Sequence, residues 1–312
     1  MNVVLVAEES AGLQMLRALA RSEHRLVAVL AAPPKPGFIG VNLWKVATDS
    51  GFETWPAELV RSRALADRFR SEEVDILLNI HSLYVIHQEV LAAPKLGSFN
   101  LHPGPLPRYA GLNAVSWAIF RGEQSHGVTV HRMEPDIDAG PIVYQTSFPI
   151  QADDTALSLS FKCVREGITL MLRLLEVATV APADIPLTPQ DSAMREYFGS
   201  EVPGQGRICW SWPACKVVNL VRACDYFPFR SPWGHAHTRL GVQEFALVKA
   251  CRTGFQCDAS PGKIGKSTDS GVYVACRDEW VLASKLHVAG RYLPAQEVLR
   301  PGDQLADFLA KC

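Results

Sequence analysis

The sequence predicts an α/β domain built on a doubly wound parallel sheet, followed by a smaller and mostly β domain. A β-branched run at residues 3–6, apolar residues three and four positions apart at Leu13, Leu16 and Ala20, and an apolar run at 26–30 indicate strand, helix and strand. Such a βαβ unit implies parallel strands joined by a right-handed crossover. Strand and helix patterns then keep alternating until about residue 180, where short apolar runs separated by turn residues replace them.

The alternation can be followed along the first domain. Strands are predicted at 76–80, 83–86, 98–101, 127–133 and 142–150, and helices at 43–50, 61–70, 114–120 and 155–177. The first strand-to-helix turn has no Gly-x-Gly-x-x-Gly sequence, so the dinucleotide-binding fingerprint is missing.

Prolines mark the boundary between the domains. Pro182, Pro186, Pro189 and Pro203 punctuate a stretch without sustained periodicity, which is typical of a linker. We therefore predict a first domain at 1–182, a linker at 183–205 and a second domain at 206–312. The second domain is predicted to contain a helix at 213–224 and strands at 244–250, 271–276 and 280–286, the spacing of a small antiparallel barrel.

Charge and hydropathy argue against several classes of function. The 312 residues include 31 Lys and Arg against 32 Asp and Glu, and a formal charge of −1 lacks the basic excess that neutralises nucleic-acid phosphates. No apolar run approaches the roughly 18 residues of a membrane span, and Glu8 and Glu9 interrupt any signal sequence. We therefore predict a cytoplasmic protein with no nucleic-acid or membrane partner. The eight cysteines form no Cys-x-x-Cys pair, so free thiols and no metal site are predicted.

The segment 98–142 concentrates the polar residues that could carry chemistry. Asn100 and His102 are two positions apart on a predicted strand, so both side chains leave the same face just before Pro103 breaks the strand. Ligands of open parallel sheets bind at this carboxyl edge, where an amide and an imidazole could donate hydrogen bonds to an oxyanion. Asp138, in a later loop, could orient His102 or raise its pKa. Taken singly, the same residues also fit a turn cap, a half-buried histidine and an Asx turn.

A combination of motifs resembles the folate-dependent formyltransferase family, which includes methionyl-tRNA, glycinamide ribonucleotide and sugar-nucleotide formyltransferases. The matches are Asn-x-His-Pro at 100–103, Leu-Pro-x-Tyr at 106–109, His-x-Met at 131–133 and Asp-x-Gly at 138–140. Residues 81–91 are similar to the family's pterin-binding loop, with His87 where that loop commonly has Pro. Residues 206–210, 221–223 and 228–234 resemble its carboxy-terminal domain. The resemblance implies a Rossmann-like formyltransferase domain followed by an OB-like barrel.

The same resemblance implies roles for individual residues. Asn100, His102 and Asp138 correspond to the catalytic triad, and 10-formyltetrahydrofolate is the implied donor. The oxyanion would be held by the Asn100 amide and a protonated His102, whose charge Asp138 stabilises. The positions carried over to the pterin pocket are Leu83, Tyr84, Ile86, Asp136 and Ile137, and the acceptor site is assigned to Pro103 and Tyr109. Thr129 and His131 alternate on the strand that leads to Asp138, which makes them candidate supporting residues.

The resemblance leaves the acceptor open. The tRNA enzymes usually have a Gly- and Lys-rich insertion after the second strand, whereas residues 36–45 contain a single Lys. With the near-neutral charge, this favours a small-molecule amine: an amino-sugar nucleotide, an amino acid or a secondary metabolite. The alternatives are a methionyl-tRNA formyltransferase, a 10-formyltetrahydrofolate hydrolase and a non-catalytic folate- or carrier-binding module. A homodimer and a carrier-protein-bound substrate are further partner predictions.

Overall fold

A computed structural model describes residues 1–35, 37 and 41–307 and divides the chain into two compact units. Unit 1 consists of Met1–Gly111, Gly127–Phe148 and Lys162–Tyr197. Unit 2 consists of Leu112–His126, Pro149–Phe161 and the chain from Phe198 onward. Of the predicted linker, residues 183–197 group with unit 1 and residues 198–205 with unit 2, so each unit is assembled from separate pieces of sequence.

Unit 1 is built on a mixed sheet. In chain order, the strands up to residue 198 are β1 (Asn2–Ala7), β2 (Arg25–Ala31), β3 (Thr54–Pro56), β4 (Ile76–Ile80), β5 (Gly97–His102), β6 (Ala110–Gly111), β7 (Ser125–Arg132), β8 (Ile142–Pro149) and β9 (Tyr197–Phe198). The sheet has the order β3-β2-β1-β4-β5-β7-β8, and β6 pairs separately with β9. The pairs from β3 to β5 are parallel, whereas β7 runs antiparallel to β5.

Helices follow the parallel strands, as the alternating pattern predicts. They are α1 (Glu9–Leu19), α2 (Leu43–Asp49), α3 (Ala64–Ser71), α4 (Gln88–Ala92), α5 (Ala114–Arg121) and the long α6 (Ala156–Val180). Residues 3–7 of β1 are all fully buried, because helices cover both faces of a parallel sheet. A core cluster on this sheet joins β1, β2 and β4 to the aromatic side chains of Trp55 and Phe69. The predicted α/β class is confirmed.

One predicted strand of unit 1 is wrong. Residues 83–86 form no strand but belong to an irregular loop that follows β4. The chain leaves the sheet at His81, whose φ of +55° is in the left-handed region and ends the extended run. An apolar run cannot be distinguished from such a loop by periodicity alone.

Unit 2 is dominated by an antiparallel sheet. Its later elements are α7 (Ala214–Cys224), β10 (Ala236–Leu240), β11 (Gln243–Gln256), β12 (Ile264–Thr268), β13 (Gly271–Ala275), β14 (Glu279–Val288), β15 (Arg291–Pro294) and α8 (Ala295–Val298). The order is β10-β11-β14-β13-β12, with β15 on β14. The fully buried Trp210 donates to Thr238 at 3.1 Å, and Ser116 of α5 donates to the Ala223 carbonyl of α7 at 2.9 Å. The expected mostly β second region is confirmed.

Among the described residues, no helix is both long enough and apolar enough to pass through a membrane.

Candidate active site

The strand register of unit 1 brings polar side chains together at the carboxyl edge of β4 and β5. Asn79 of β4 pairs with Asn100 of β5, and Asn100 pairs in turn with His131 of β7. His102 is opposite Thr129 in the same ladder. Because alternate strand residues share a face, Asn100 and His102 leave β5 on one side, as the sequence predicts.

His102 is buried, with 4% of its surface exposed, and both ring nitrogens have neighbours. Its Nε2 is 2.5 Å from the Tyr109 carbonyl oxygen, and its Nδ1 is 3.4 Å from Oδ2 of Asp138. A carbonyl oxygen can only accept, so Nε2 carries the hydrogen and Nδ1 is the nitrogen that faces the carboxylate. Burial lowers the pKa of His102 and outweighs the opposing effects of Asp138 and the Tyr109 carbonyl. This lowered pKa favours the neutral imidazole, whereas the resemblance implies a protonated His102, and the form that takes part in the reaction stays a prediction.

Asp138 is the centre of the cluster. Its Oδ2 accepts from the Gly111 N–H at 2.8 Å, and its Oδ1 is 3.3 Å from Nε2 of His131 and 3.4 Å from Nδ2 of Asn100. Burial alone would raise the pKa of this carboxyl, but His102, His131 and the Gly111 N–H together hold it well below its ordinary value. The residue has a left-handed φ of +53°, a conformation that Asp tolerates better than most side chains.

Two side chains that sequence reasoning missed hold the loop around Asp138. The amide of Gln190 donates to the carbonyls of Asp138 at 2.9 Å and Gly140 at 2.7 Å. Arg195 donates to the carbonyls of Asp138 at 3.3 Å and Ile137 at 2.8 Å. Both lie in the predicted linker, whose lack of periodicity gave no signal for a supporting role. These contacts fix the main chain that presents the carboxylate.

Thr129 supports the turn that follows His102. Its hydroxyl donates to the Gly104 carbonyl at 2.7 Å and accepts from the Leu106 N–H at 3.1 Å and from Gln145 at 2.8 Å. Pro103 lies half-buried in this turn. Thr129 thus holds the turn that follows His102, and its role as a supporting residue of the reaction stays a prediction.

The side chains implied for the acceptor and pterin sites differ in exposure. Tyr109 is 2% exposed, and the contact it makes with His102 is through its carbonyl. Leu83 and Ile137 are 76% and 46% exposed. The remaining pterin positions are Tyr84, half-buried against the core, Ile86, which is buried in it, and Asp136, which is exposed. Their role in binding a ligand stays a prediction.

His81 is a half-buried histidine near this edge, directly after β4. Its Nε2 is buried and has no hydrogen-bond partner among the described residues. Burial, and to a lesser extent the proximity of His102, lowers the pKa of His81 to about 4. No motif or spacing in the sequence predicts a separate role for His81.

In the described part of the chain, no group of three or more His, Cys, Asp or Glu side chains is placed to hold a metal ion. The cluster instead combines amide donors, imidazoles and a carboxylate, and both His102 and His131 are buried. Such a set can bind an oxyanion and relay a proton.

Two family models match the chain. The formyl transferase model covers residues 1–175, and the model of the formyl transferase carboxy-terminal domain covers residues 202–300. The fold and site define an enzyme of the group-transfer class. The chain belongs to the formyl transferase family, and the resemblance predicted from its motifs is confirmed.

Solved structures share this fold at low sequence identity. An N-formyltransferase from Helicobacter canadensis, in complex with folinic acid and dTDP-3-aminofucose, is 17% identical, with a TM-score of 0.68 over 90% of this chain and 98% of that one. The sugar 3N-formyltransferase WlaRD, in the presence of dTDP and 5-N-formyl-THF, is 17% identical, with a TM-score of 0.70 over 93% and 98%. A HypX variant from Aquifex aeolicus is 22% identical, with a TM-score of 0.66, and this chain spans 47% of it. The first two structures are named with folates, the class of co-substrate that the sequence predicts.

Proposed function

We propose that the protein transfers a formyl group from 10-formyltetrahydrofolate to a primary amine of a small molecule. The observation that carries this proposal is the buried cluster of Asn100, His102 and Asp138 at the carboxyl edge of the sheet. The cluster lies within the region that matches the formyl transferase model. Its residue types supply what formyl transfer from nitrogen to nitrogen requires, namely an oxyanion donor and a proton carrier.

The amide of Asn100 is the proposed oxyanion donor. The amine nitrogen attacks the formyl carbon, and negative charge develops on the formyl oxygen before the bond from carbon to N10 of the folate breaks. A hydrogen-bond donor aimed at that oxygen stabilises the transition state more than the ground state. Removing one such donor typically costs a factor of about 10²–10³ in rate.

His102 is the proposed proton carrier, through Nδ1. Because Nε2 is bound to the Tyr109 carbonyl, Nδ1 is the nitrogen available to take the proton that the attacking amine loses. The lowered pKa of His102 leaves this nitrogen unprotonated before the reaction. The Asp138 carboxylate, 3.4 Å away, stabilises the imidazolium until the proton passes to the departing N10. One proton is lost by the amine and one is gained by N10, so the transfer balances.

We further propose an amino-sugar nucleotide as the acceptor. The formal charge of −1 supports a small molecule over a tRNA. The Helicobacter canadensis and WlaRD structures are named with a dTDP-linked amino sugar and with dTDP. The segment whose composition distinguishes tRNA enzymes, 36–45, includes residues 36 and 38–40, which lie outside the described residues.

Two partner predictions are kept as proposals of their own. If the protein is a homodimer, light scattering after size-exclusion chromatography should give twice the mass of one chain. A carrier-bound acceptor predicts turnover with an aminoacylated carrier protein and none with the free amine.

The proposal is tested by release of tetrahydrofolate from 10-formyltetrahydrofolate, followed by absorbance, with mass spectrometry of the acceptor. The acceptors are nucleotide-linked amino sugars, free amino acids, initiator methionyl-tRNA and water alone. We expect release that depends on the amino-sugar nucleotide and a product heavier by one formyl group. Release without an amine would instead indicate a hydrolase, and release only with tRNA would overturn the proposed acceptor.

Variants connect the activity to the cluster. His102→Gln and Asp138→Asn should each lower kcat by about 10²–10³, with donor binding retained. His24→Gln, which replaces a partly exposed histidine of unit 1 outside the cluster, is the matched control and should leave kcat unchanged. Near-normal turnover of His102→Gln on the true acceptor would contradict the proposed mechanism.

A further inference from the structure

Asn79 is a polar residue in an otherwise apolar and fully buried strand. Only 4% of its surface is exposed, and its neighbours in β4 are Leu78 and Ile80. Its Nδ2 donates to Oδ1 of Asn100 at 2.9 Å, across the paired strands β4 and β5. Burying an amide in such apolar surroundings costs free energy of folding unless the amide is hydrogen-bonded.

A chain of hydrogen bonds fixes which end of the Asn100 amide faces which neighbour. The Arg132 carbonyl lies 2.9 Å from Nδ1 of His131 and can only accept, so Nδ1 carries a hydrogen. The Asp138 carboxylate can also only accept, so the amide atom of Asn100 that lies 3.4 Å from its Oδ1 must be Nδ2, the same atom that is 3.0 Å from Nε2 of His131. The Oδ1 atom of Asn100 consequently faces Asn79, which must donate.

This polarity leaves one N–H of Asn100 weakly engaged. The second hydrogen of Nδ2 points towards Oδ1 of Asp138 at 3.4 Å, longer than the roughly 2.9 Å of a typical bond. A formyl oxygen that gains negative charge would compete effectively for this donor. With the amide reversed, Oδ1 would face both the Asp138 carboxylate and the oxyanion, and both contacts would be repulsive.

We propose that Asn79 is a positioning residue, which holds the Asn100 amide so that Nδ2, and not Oδ1, faces the formyl oxygen. Its catalytic consequence rests on the proposed function, whereas the orientation itself does not. Donation to Oδ1 also polarises the amide, so that its N–H groups become better donors.

The first test reads the orientation without any activity. In protein with ¹⁵N-labelled histidine, the ring nitrogens of His131, assigned by their loss in His131→Asn, should show hydrogen on Nδ1 and none on Nε2. In Asn79→Asp above the pKa of the new carboxyl, the carboxylate can only accept, so Asn100 should turn its Nδ2 to it. His131 should then change to the Nε2–H form. An unchanged His131 tautomer in ionised Asn79→Asp would overturn the inference.

The second test is kinetic and uses the pH profile. Asn79→Leu, of similar size without a donor, should lower kcat about 10-fold at every pH, with the KM of both substrates changed less than about 3-fold. Asn79→Asp should approach wild-type kcat at low pH, where the protonated carboxyl donates to Asn100, and should fall on the order of 10²-fold when it ionises. Loss of stability alone would produce no such pH-dependent difference between the two variants.

Ser98→Ala is the matched control for these substitutions. Ser98 lies on β5 and is 1% exposed, and its hydroxyl donates to the Leu91 carbonyl at 2.9 Å, away from the cluster. Ser98→Ala should lose about as much stability as the Asn79 variants, but it should keep the kcat and the pH profile of the wild-type protein. If wild-type protein transfers no formyl group but the tautomer switches as expected, the proposed function fails and the positioning by Asn79 stands. If wild type is active and Asn79→Leu matches Ser98→Ala in kcat, the positioning role is refuted.

Discussion

Two loops near the cluster of Asn100, His102 and Asp138 are built in opposite ways. The loop 133–140, after β7, is held by side chains from distant sequence, because Gln190 and Arg195 bind its carbonyls and the Gly111 N–H binds the Asp138 carboxylate. The loop 81–87, after β4, exposes two of its apolar side chains, Leu83 at 76% and Val85 at 61%.

The difference corresponds to two physical tasks. Proton transfer and oxyanion stabilisation require atoms fixed to within a fraction of an ångström, so the loop that carries Asp138 is held at several points. Binding a flat ring requires apolar surface that is free until the ligand covers it, and such exposed side chains often mark a ligand site. We therefore propose that the first loop supports the chemistry and that the second forms a wall for the pterin.

The largest expected effect comes from moving the first loop. A Cβ on Gly140 would collide with the Arg132 carbonyl oxygen, which is backbone and cannot move aside. Gly140→Ala should therefore shift the Asp138 main chain and lower kcat about 10²-fold, since displacements near 1 Å cost about that much. The measurement is kcat with saturating substrates.

Gly51→Ala is the control for Gly140→Ala. Its φ of +81° strains any side chain, but no atom lies within 4 Å of the new Cβ, so stability should fall while kcat stays unchanged. Equal kcat in the two variants would show that the loop 133–140 tolerates displacement.

The second prediction concerns acid stability at the start of the other loop. The folded pKa of His81 is about 4, against about 6.5 in an unfolded chain. The unfolded state therefore binds more protons between these values, so the stability due to neutral His81 is complete above about pH 6.5 and is lost as the pH falls towards about 4. The lowered pKa of His102 acts in the same direction.

His81→Asn tests this linkage. Asn tolerates the left-handed backbone of residue 81 and does not titrate, so between pH 7 and pH 5 the variant should lose less stability than wild type, by at most about 2 kcal/mol. Urea denaturation at pH 7 and pH 5 measures the difference. The same loss of stability in both proteins would show that His81 is solvated when folded.

Much of this architecture could be predicted because local patterns determine it. The buried runs at 3–6, 26–30 and 76–80 lie within β1, β2 and β4, and the Pro-Gly turn after His102 does end β5. The short strands β3, β12 and β15 were missed, because three to five residues at a sheet edge carry too little periodicity. The antiparallel direction of β7 depends on tertiary pairing and has no local signal.

The candidate site likewise contains some residues that the sequence predicts and others that it does not. Asn100, His102 and Asp138 could be proposed because the motifs place them at strand ends. Gln190 and Arg195 could not, since they reach the site from an aperiodic stretch about 50 residues downstream. The net lowering of the His102 pKa also depends on burial, which a sequence does not quantify.

A smaller effect is expected from loosening the loop 133–140 without a collision. Arg195→Met and Gln190→Leu each remove donors to its carbonyls. Each should lower kcat roughly 10-fold and leave the KM for the donor unchanged, because the Asp138 carboxylate keeps its bond from the Gly111 N–H. Arg70→Met, which removes an exposed arginine of α3, should have wild-type kinetics. A change confined to KM in the first two variants would assign them to substrate binding instead.

The smallest effect is expected in the exposed loop. Leu83→Ser removes apolar surface that the folded protein leaves in water, so its stability should be nearly unchanged. If the pterin covers this side chain, the variant should bind 10-formyltetrahydrofolate about 5-fold more weakly, from a loss of about 1 kcal/mol of burial, and keep its kcat. Val41→Ser, another exposed apolar side chain of unit 1, is the control for fluorescence titration with the donor. Equal affinities in the two variants would remove Leu83 from the pterin pocket, whereas a fall in kcat would mean that the two loops share the work of positioning the reacting atoms.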